Sequence, residues 1–192
     1  MISGIEDYNL GGERYVQDHA VTHLKGQRDQ LLWQRQIKSF LPSYGGTNTP
    51  LADYVYLGPI EVKCRSTIDR IAIVYDTPCA GNIRAGLYYD NGYTPVGGAL
   101  LVETAALAKT GTFRIHELPI VDTLIEPGMY WMGILSDDPT TAVVMQGPWQ
   151  LRAGDGARLC YYNRGGFLPL LNPCPAVGYV TDTPWFYLRV KD

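Results

Sequence analysis

The sequence predicts an all-β protein, an antiparallel β-sandwich of jelly-roll-like type preceded by an N-terminal helical arm. Between residues 67 and 136 apolar side chains recur at a period of two, as at Ile71, Ile73 and Tyr75. Side chains two residues apart lie on one face of a strand, so each such run presents one face to a core. Turn-forming residues separate the runs, as in the Asp-Asn-Gly triplet at 90–92. Short strands separated by such turns are typical of sandwiches and barrels.

The composition limits the classes of protein that the chain can belong to. Of its 192 residues 46% are hydrophobic and 18% are charged, which is typical of a folded globular protein. The net charge of −3, without a basic block, argues against a nucleic-acid partner. No apolar run approaches the roughly 20 residues of a membrane span, so we expect no membrane partner. The first residues lack the pattern of a signal peptide, so we expect synthesis and folding in a cytoplasm.

The first 50 residues differ in pattern from the rest, and we predict two domains, an extended or helical anchoring arm with a linker at 1–50 and a β-sandwich at 51–192. Apolar residues recur at helical spacings between Asp18, a plausible N-cap, and residue 41, where Pro42 ends the helix. Glycine, proline and small polar residues at 43–50 predict a linker. The arm residues predicted to bind a partner are Tyr8, Tyr15, Leu24, Leu31, Trp33, Ile37 and Phe40.

The strands of the second domain follow from alternation and from the turn residues that bound it. The first strands begin between 54 and 62, and further strands are predicted at 67–75, 84–89, 99–103, 112–118, 124–126, 129–135, 141–146 and 185–190. Residues 105–109 fit either a strand or a single helical turn. Residues 154–177 show no period and predict an irregular segment. Cys160 and Cys174 flank its loop and could be bridged, although a cytoplasmic origin argues against a disulfide.

Four pieces of this pattern occur in an order that resembles a known module. They are TIDRIAI, which begins at Thr67, the segment IRAGLYYDNGYTPVGGALLVE, the segment LIEPGMYWMGILSD, and the terminal PWFYLRV. Together they resemble the β-sandwich module of tailed-bacteriophage virion structural proteins, of the tail-fibre and capsid-decoration type. The resemblance covers about residues 54–192.

The resemblance implies a non-enzymatic virion structural protein, a tail-fibre or adaptor component attached to the particle through its N-terminal arm. One alternative is a capsid-decoration (cement) protein that bridges capsomers. In either role the partners are other virion proteins of the tail, the neck or the capsid, and the chain is expected to form a homo-oligomer, a trimer by analogy with the family. The expected location is the virion, assembled in the host cytoplasm.

No residue pattern predicts catalysis, and we expect no enzyme activity, no catalytic residue, no cofactor and no metal. His19 and His23 are four residues apart on the predicted helix, but a third metal ligand is not evident. Loop aspartates at 90, 137, 138 and 155 would hold calcium only if they converged, and such residues usually make turns. Neither a GxSxG elbow nor a phosphate-binding glycine motif occurs.

A second alternative is a carbohydrate-binding or host-receptor-binding sandwich, with a host glycan as the partner. Its site would be an exposed aromatic surface, because sugar rings stack on aromatic side chains. The candidates for that surface are Trp149, Tyr161, Tyr162 and Phe167. The competing interpretation is that these aromatic side chains pack in the core or between subunits.

Overall fold

A computed structural model of the chain describes residues 36–38, 44–48, 51–75, 81–108, 114–138, 143–146, 160–179, 183–184 and 186–191. The chain divides into two compact units, residues 1–35 and residues 36–192. All the described residues belong to the second unit, which therefore begins at Gln36, inside the predicted arm.

The described residues form fourteen β-strands and no helix. In chain order they are β1 (Gln36–Lys38), β2 (Tyr44–Asn48), β3 (Tyr54–Val62), β4 (Ser66–Tyr75), β5 (Asn82–Tyr89), β6 (Leu100–Glu103), β7 (Leu107–Ala108), β8 (Arg114–Ile125), β9 (Gly128–Ser136), β10 (Val143–Gln146), β11 (Cys160–Asn163), β12 (Gly178–Tyr179), β13 (Thr183–Pro184) and β14 (Phe186–Val190). The described part of that unit is therefore all-β, as predicted. No helix able to span a membrane is found in it.

The strands form two seven-stranded antiparallel sheets. The first sheet has the order β1-β14-β4-β10-β13, with β8 added on β4 and β2 on β10. The second has the order β12-β11-β3-β9-β5-β6, with β7 added on β5. Strands distant in the chain are neighbours in both sheets, so the strand order depends on long-range pairing that local sequence does not encode.

Two predictions for the N-terminal part are wrong where the structure describes it. Residues 36–38 were predicted to end a helix but form β1, with Ile37 opposite Leu188 of β14. Residues 44–48 were predicted to be linker but form β2, which pairs with β10. Pairing with β14 or β10 gives the backbone N–H and C=O groups of these residues hydrogen-bond partners, which outweighs a weak local preference for helix or coil. The rest of the predicted helix lies outside the described residues.

Elsewhere the predicted strands are found with shifted limits. The segments 112–118 and 124–126 belong to one long strand, β8. Residues 107–108 of the ambiguous 105–109 segment form the short strand β7.

The main core lies between the two sheets. On β5 the alternation predicted for Ala85, Leu87 and Tyr89 is confirmed for Ala85 and Leu87, which contribute to this core, whereas Tyr89 at the end of the strand is exposed. On β4 the pairing with β14 passes over Asp69, because Ile68 pairs with Val190 and Arg70 with Arg189, and Ile68 enters the core three positions before Ile71. An extra residue of this kind reverses the phase of alternation, which a strict period of two does not predict.

A second apolar core lies on the opposite face of the second sheet. Trp131 and Tyr88 are buried there, on strands whose other side chains face the main core. Residues 164–177, which we call the cover segment, lie over this face and supply Leu170 and Cys174 to the second core. Both faces of the second sheet are therefore buried, which explains the nearly continuous apolar runs in β5 and β9.

Candidate functional site

The cover segment is held by hydrogen bonds to the chain between β5 and β6 and to β6 itself. Cys174 forms a backbone bond with each of two successive glycines. Four bonds join the segment to this region: Gly97 N to Cys174 O at 2.8 Å, Cys174 N to Gly98 O at 3.0 Å, Leu100 N to Asn172 Oδ1 at 3.0 Å and Leu170 N to Glu103 Oε1 at 2.9 Å. Within the predicted irregular segment, residues 160–163 are therefore a strand, β11, and residues 164–177 are held to the second sheet by these hydrogen bonds.

Tyr162, one of the four aromatic residues predicted to be exposed, is buried beneath the cover segment. Its hydroxyl lies 3.0 Å from the hydroxyl of Tyr88. The Tyr88 hydroxyl donates to the Leu171 carbonyl, also at 3.0 Å, and Leu171 N donates to the Tyr162 hydroxyl at 3.3 Å. Burial raises the pKa of both phenols. Tyr162 therefore joins the sheet to the cover segment and offers no exposed ring to a sugar.

The remaining members of the predicted aromatic surface are separated. Phe167 packs against the second core, with the guanidinium of Arg84 5.5 Å from its ring centroid. Tyr161 is half-buried, and its ring centroid lies 5.6 Å from that of Tyr54 and 6.4 Å from that of Tyr56. Trp149 lies outside the described residues. The structure therefore does not bring the four residues together as one exposed platform.

The predicted partner-binding residues of the arm are mostly outside the described part of the chain. This holds for Tyr8, Tyr15, Leu24, Leu31, Trp33 and Phe40. Ile37 is described as backbone in β1, where it pairs with Leu188. Its position in a sheet places it in the sandwich unit.

Two of the four loop aspartates considered as calcium ligands, Asp90 and Asp137, accept hydrogen bonds within the fold. Asp137 accepts bonds from Asn82 N at 2.6 Å and from Asn82 Nδ2 at 2.8 Å. Asp90 accepts one from the Trp131 indole at 2.7 Å. Asp155 lies outside the described residues, as do His19 and His23. Within the described ranges, no group of three His, Cys, Asp or Glu side chains could hold a metal ion.

A network of charged side chains lies on the outer face of the first sheet. Glu117 of β8 accepts a bond of 2.8 Å from Arg189 of β14 and one of 3.3 Å from the Tyr187 hydroxyl. Asp69 lies 3.6 Å from Arg189 as well. Burial, and then the charge of Glu117, raise the pKa of Tyr187 to about 12. The two carboxylates, of Asp69 and Glu117, therefore form contacts between β4, β8 and β14 and stabilise the first sheet.

The three cysteines that the structure describes are unbridged, and they differ in exposure. Cys64 is exposed, whereas Cys160 and Cys174 are buried in the second core. Burial raises the pKa of both buried thiols, that of Cys174 to about 12. They therefore pack as small apolar side chains.

We expect iodoacetamide at about pH 8.5 to alkylate Cys64 at least about 100-fold faster than Cys160 or Cys174, because the reagent needs an accessible thiolate. Peptide mass spectrometry at successive times measures each site. Equal alkylation of all three cysteines would show that the cover segment is open.

The pKa of Cys174 is higher in the folded than in the unfolded state, so the contribution of its neutral thiol to stability is retained below the ordinary pKa of 9.0. That contribution is lost as the pH rises towards about 12.

Three large apolar side chains on β8 are exposed: Ile115, Val121 and Leu124, which we call the β8 surface. Val121 is 74% exposed. In the part of the chain that the structure describes, β8 pairs only with β4. Pro119 lies in the middle of the strand and lacks an N–H, which hinders the addition of another strand. The β8 surface therefore offers a partner apolar side chains in preference to a continuous hydrogen-bonding edge.

A second exposed feature, missed by the sequence analysis, is the loop between β5 and β6. The loop presents Tyr93 to solvent, and beside it Tyr89, the exposed last residue of β5, packs against Tyr130 with the ring centroids 5.8 Å apart. The available signal was a large aromatic residue inside a turn-forming segment, DNGYTPVGG. Large apolar area in such a turn contributes little to a core, so its exposure is informative.

The described residues thus define an all-β sandwich of two antiparallel sheets, one of them covered on both faces. No model of a known protein family matches the sequence. Nor does any curated protein sequence match it.

Proposed function

We propose that this chain is a non-enzymatic structural component of a tailed-phage particle, of tail-fibre or adaptor type. The observation that carries the proposal is the β8 surface, where three large apolar side chains of one strand face solvent. Large apolar side chains that are exposed along one strand favour contact with another protein. The resemblance of residues 54–192 to virion sandwich modules indicates that the assembly is a phage particle.

The use of the acidic side chains supports a structural role. Asp90, Glu103, Glu117 and Asp137 each accept bonds from groups of the fold itself, so each joins two segments of the sandwich. Catalytic carboxylates instead need a partner across a cleft and access to a substrate. A domain whose segments are joined by such hydrogen bonds suits a particle surface, where a subunit must keep its structure while neighbouring subunits bind to it.

Capsid decoration is the alternative role in the same class, because a cement protein also needs an apolar contact surface. Labelled antibody and electron microscopy of purified particles separate the two roles. We expect label at the tail or the neck. Label on the faces of the head would replace the tail role by decoration, and absence of the protein from purified particles by mass spectrometry would contradict both.

We further propose that the chain self-associates through the β8 surface, as a trimer by analogy with the resembling family. Leu124→Glu places a charge in that contact and should weaken association at least about tenfold, since a buried unpaired charge is costly. Leu168→Glu is the matched control, because Leu124 is 49% and Leu168 48% exposed, and Leu168 lies on the cover segment. Sedimentation velocity over a concentration series measures association. A monomeric wild-type protein, or equal effects of both substitutions, would contradict this use of β8.

A further inference from the structure

The loop between β5 and β6 turns at Gly92 and Tyr93, and the conformation of Tyr93 is unfavourable for its residue type. Asn91 N donates to Thr94 O at 2.9 Å, and φ is 74° at Gly92 and 64° at Tyr93. Positive φ at two successive residues is characteristic of type I′ turns, in which glycine and asparagine are the favoured residues. A tyrosine in the left-handed region is uncommon and costs conformational energy.

That energy is not offset by burial of the ring, because Tyr93 is 58% exposed. A residue kept in an unfavourable backbone conformation with its apolar ring in water is more readily explained by binding than by folding. The inference concerns the second sheet and is separate from the β8 surface, which belongs to the first.

The loop that carries Tyr93 is held rigid by hydrogen bonds on both sides. Asp90 Oδ2 accepts a bond from Tyr93 N at 2.9 Å, while Asp90 Oδ1 accepts one from the buried Trp131 indole at 2.7 Å. Asn91 Nδ2 donates to Val96 O at 2.9 Å. A loop whose backbone is constrained in this way loses little backbone conformational freedom on binding, which favours affinity for a small ligand.

The surroundings of Tyr93 favour a sugar over a protein partner. Its sequence neighbours are polar or small, and Asn91 and Gly92 are exposed beside it. The buried core of a protein interface is an apolar area made by several side chains, whereas a pyranose presents one apolar C–H face for stacking and several hydroxyl groups for polar neighbours. Tyrosine combines a flat apolar ring with a polar hydroxyl, so it suits this mixed surface.

The geometry points to a carbohydrate-binding site on the β5–β6 loop, with the ring of Tyr93 as the stacking platform for a pyranose. Tyr89, exposed at the end of β5, flanks the loop. This position differs from the aromatic surface that the sequence predicted at 149–167. Of those residues, Tyr162 and Phe167 pack in or against the second core, Tyr161 lies beside Tyr54, and Trp149 is outside the described ranges.

The test measures glycan binding and stability on the same variants. Wild-type protein is applied to immobilised oligosaccharides built from glucose, galactose, mannose, rhamnose and N-acetylglucosamine, and the tightest binder is titrated by calorimetry. Tyr93→Asn should weaken binding at least about tenfold, because the stacking ring is lost. Its melting temperature should be unchanged or higher, because asparagine tolerates φ near 64° better than tyrosine does.

Two control variants isolate the role of the Tyr93 ring. Tyr93→Phe keeps the ring and should retain most of the affinity. Tyr179→Asn removes an equally prominent ring, 64% exposed on β12, and should leave binding unchanged. The inference is overturned if the wild-type protein binds none of these oligosaccharides in a saturable way, or if Tyr93→Asn binds as tightly as the wild type. Because the isolated protein is used, either result leaves the proposed place in a particle unaffected.

Discussion

Replacement of Trp131 by alanine is expected to lower the free energy of unfolding by about 3–5 kcal/mol. Trp131 is 1% exposed and is the largest side chain of the second core. Its removal leaves a cavity that the paired strands of the sheet and the hydrogen-bonded cover segment cannot fill by small movements. It also deprives Asp90 Oδ1 of its indole donor, so the adjoining loop loses one of its anchors.

Urea denaturation followed by circular dichroism measures this effect, with the slope of the transition compared between variants. Trp131→Phe is the control, because it keeps an aromatic ring and removes the N–H donor. We expect a loss of roughly half the alanine value, since part of the volume is retained. If Trp131→Ala does not fold, the phenylalanine variant still provides the measurement. A loss below about 1 kcal/mol for the alanine variant would mean that the second core contributes little to stability.

Gly98→Ala is expected to cost about 2–3 kcal/mol, because the site has no room for a methyl group. A Cβ at this position would overlap the carbonyl oxygen of Tyr89 and lie 3.0 Å from that of Pro95. Both obstacles are backbone atoms, so no side chain can rotate away. The displacement would also break the bond from Cys174 N to Gly98 O, which holds the cover segment.

Gly92→Ala in the same loop is the matched control. Nothing lies within 4 Å of a Cβ at Gly92, so only its positive φ opposes alanine, at a cost of about 1 kcal/mol. Thermal and urea unfolding rank the two variants. Faster alkylation of Cys174 in Gly98→Ala, but not in Gly92→Ala, would show that the cover segment is loosened. Equal stability of the two variants would contradict the described close packing at Gly98.

The secondary structure of the sandwich was largely predictable because it follows from local patterns. Alternation located β5 and β9, and the Asp-Asn-Gly triplet located the turn, although its centre is at Gly92 and Tyr93. The failures occurred where alternation is broken. The register shift near Ile68 changes the phase of β4, and the short strands β1 and β2 exist only because β14 and β10 provide edges for them.

The candidate sites were less predictable, because exposure is a property of the packed molecule. Aromatic residues in an aperiodic segment suggested a surface, yet Tyr162 is buried against Tyr88, on a strand 74 residues earlier in the chain. The exposed ring of Tyr93 lies instead in a loop whose composition had indicated only a turn. Likewise β8 reads as an ordinary strand, and only its place beside β4 leaves Val121 and Leu124 facing solvent.

The amino-acid sequence by itself determined that this chain builds antiparallel strands joined by tight turns, because side-chain alternation and turn preferences act over a few residues. Which face of each strand is covered was decided only by the tertiary structure. Residues 164–177 fold back over the second sheet and convert an outward face into a second core. That coverage rests on contacts between segments far apart in the chain, which no local sequence pattern encodes.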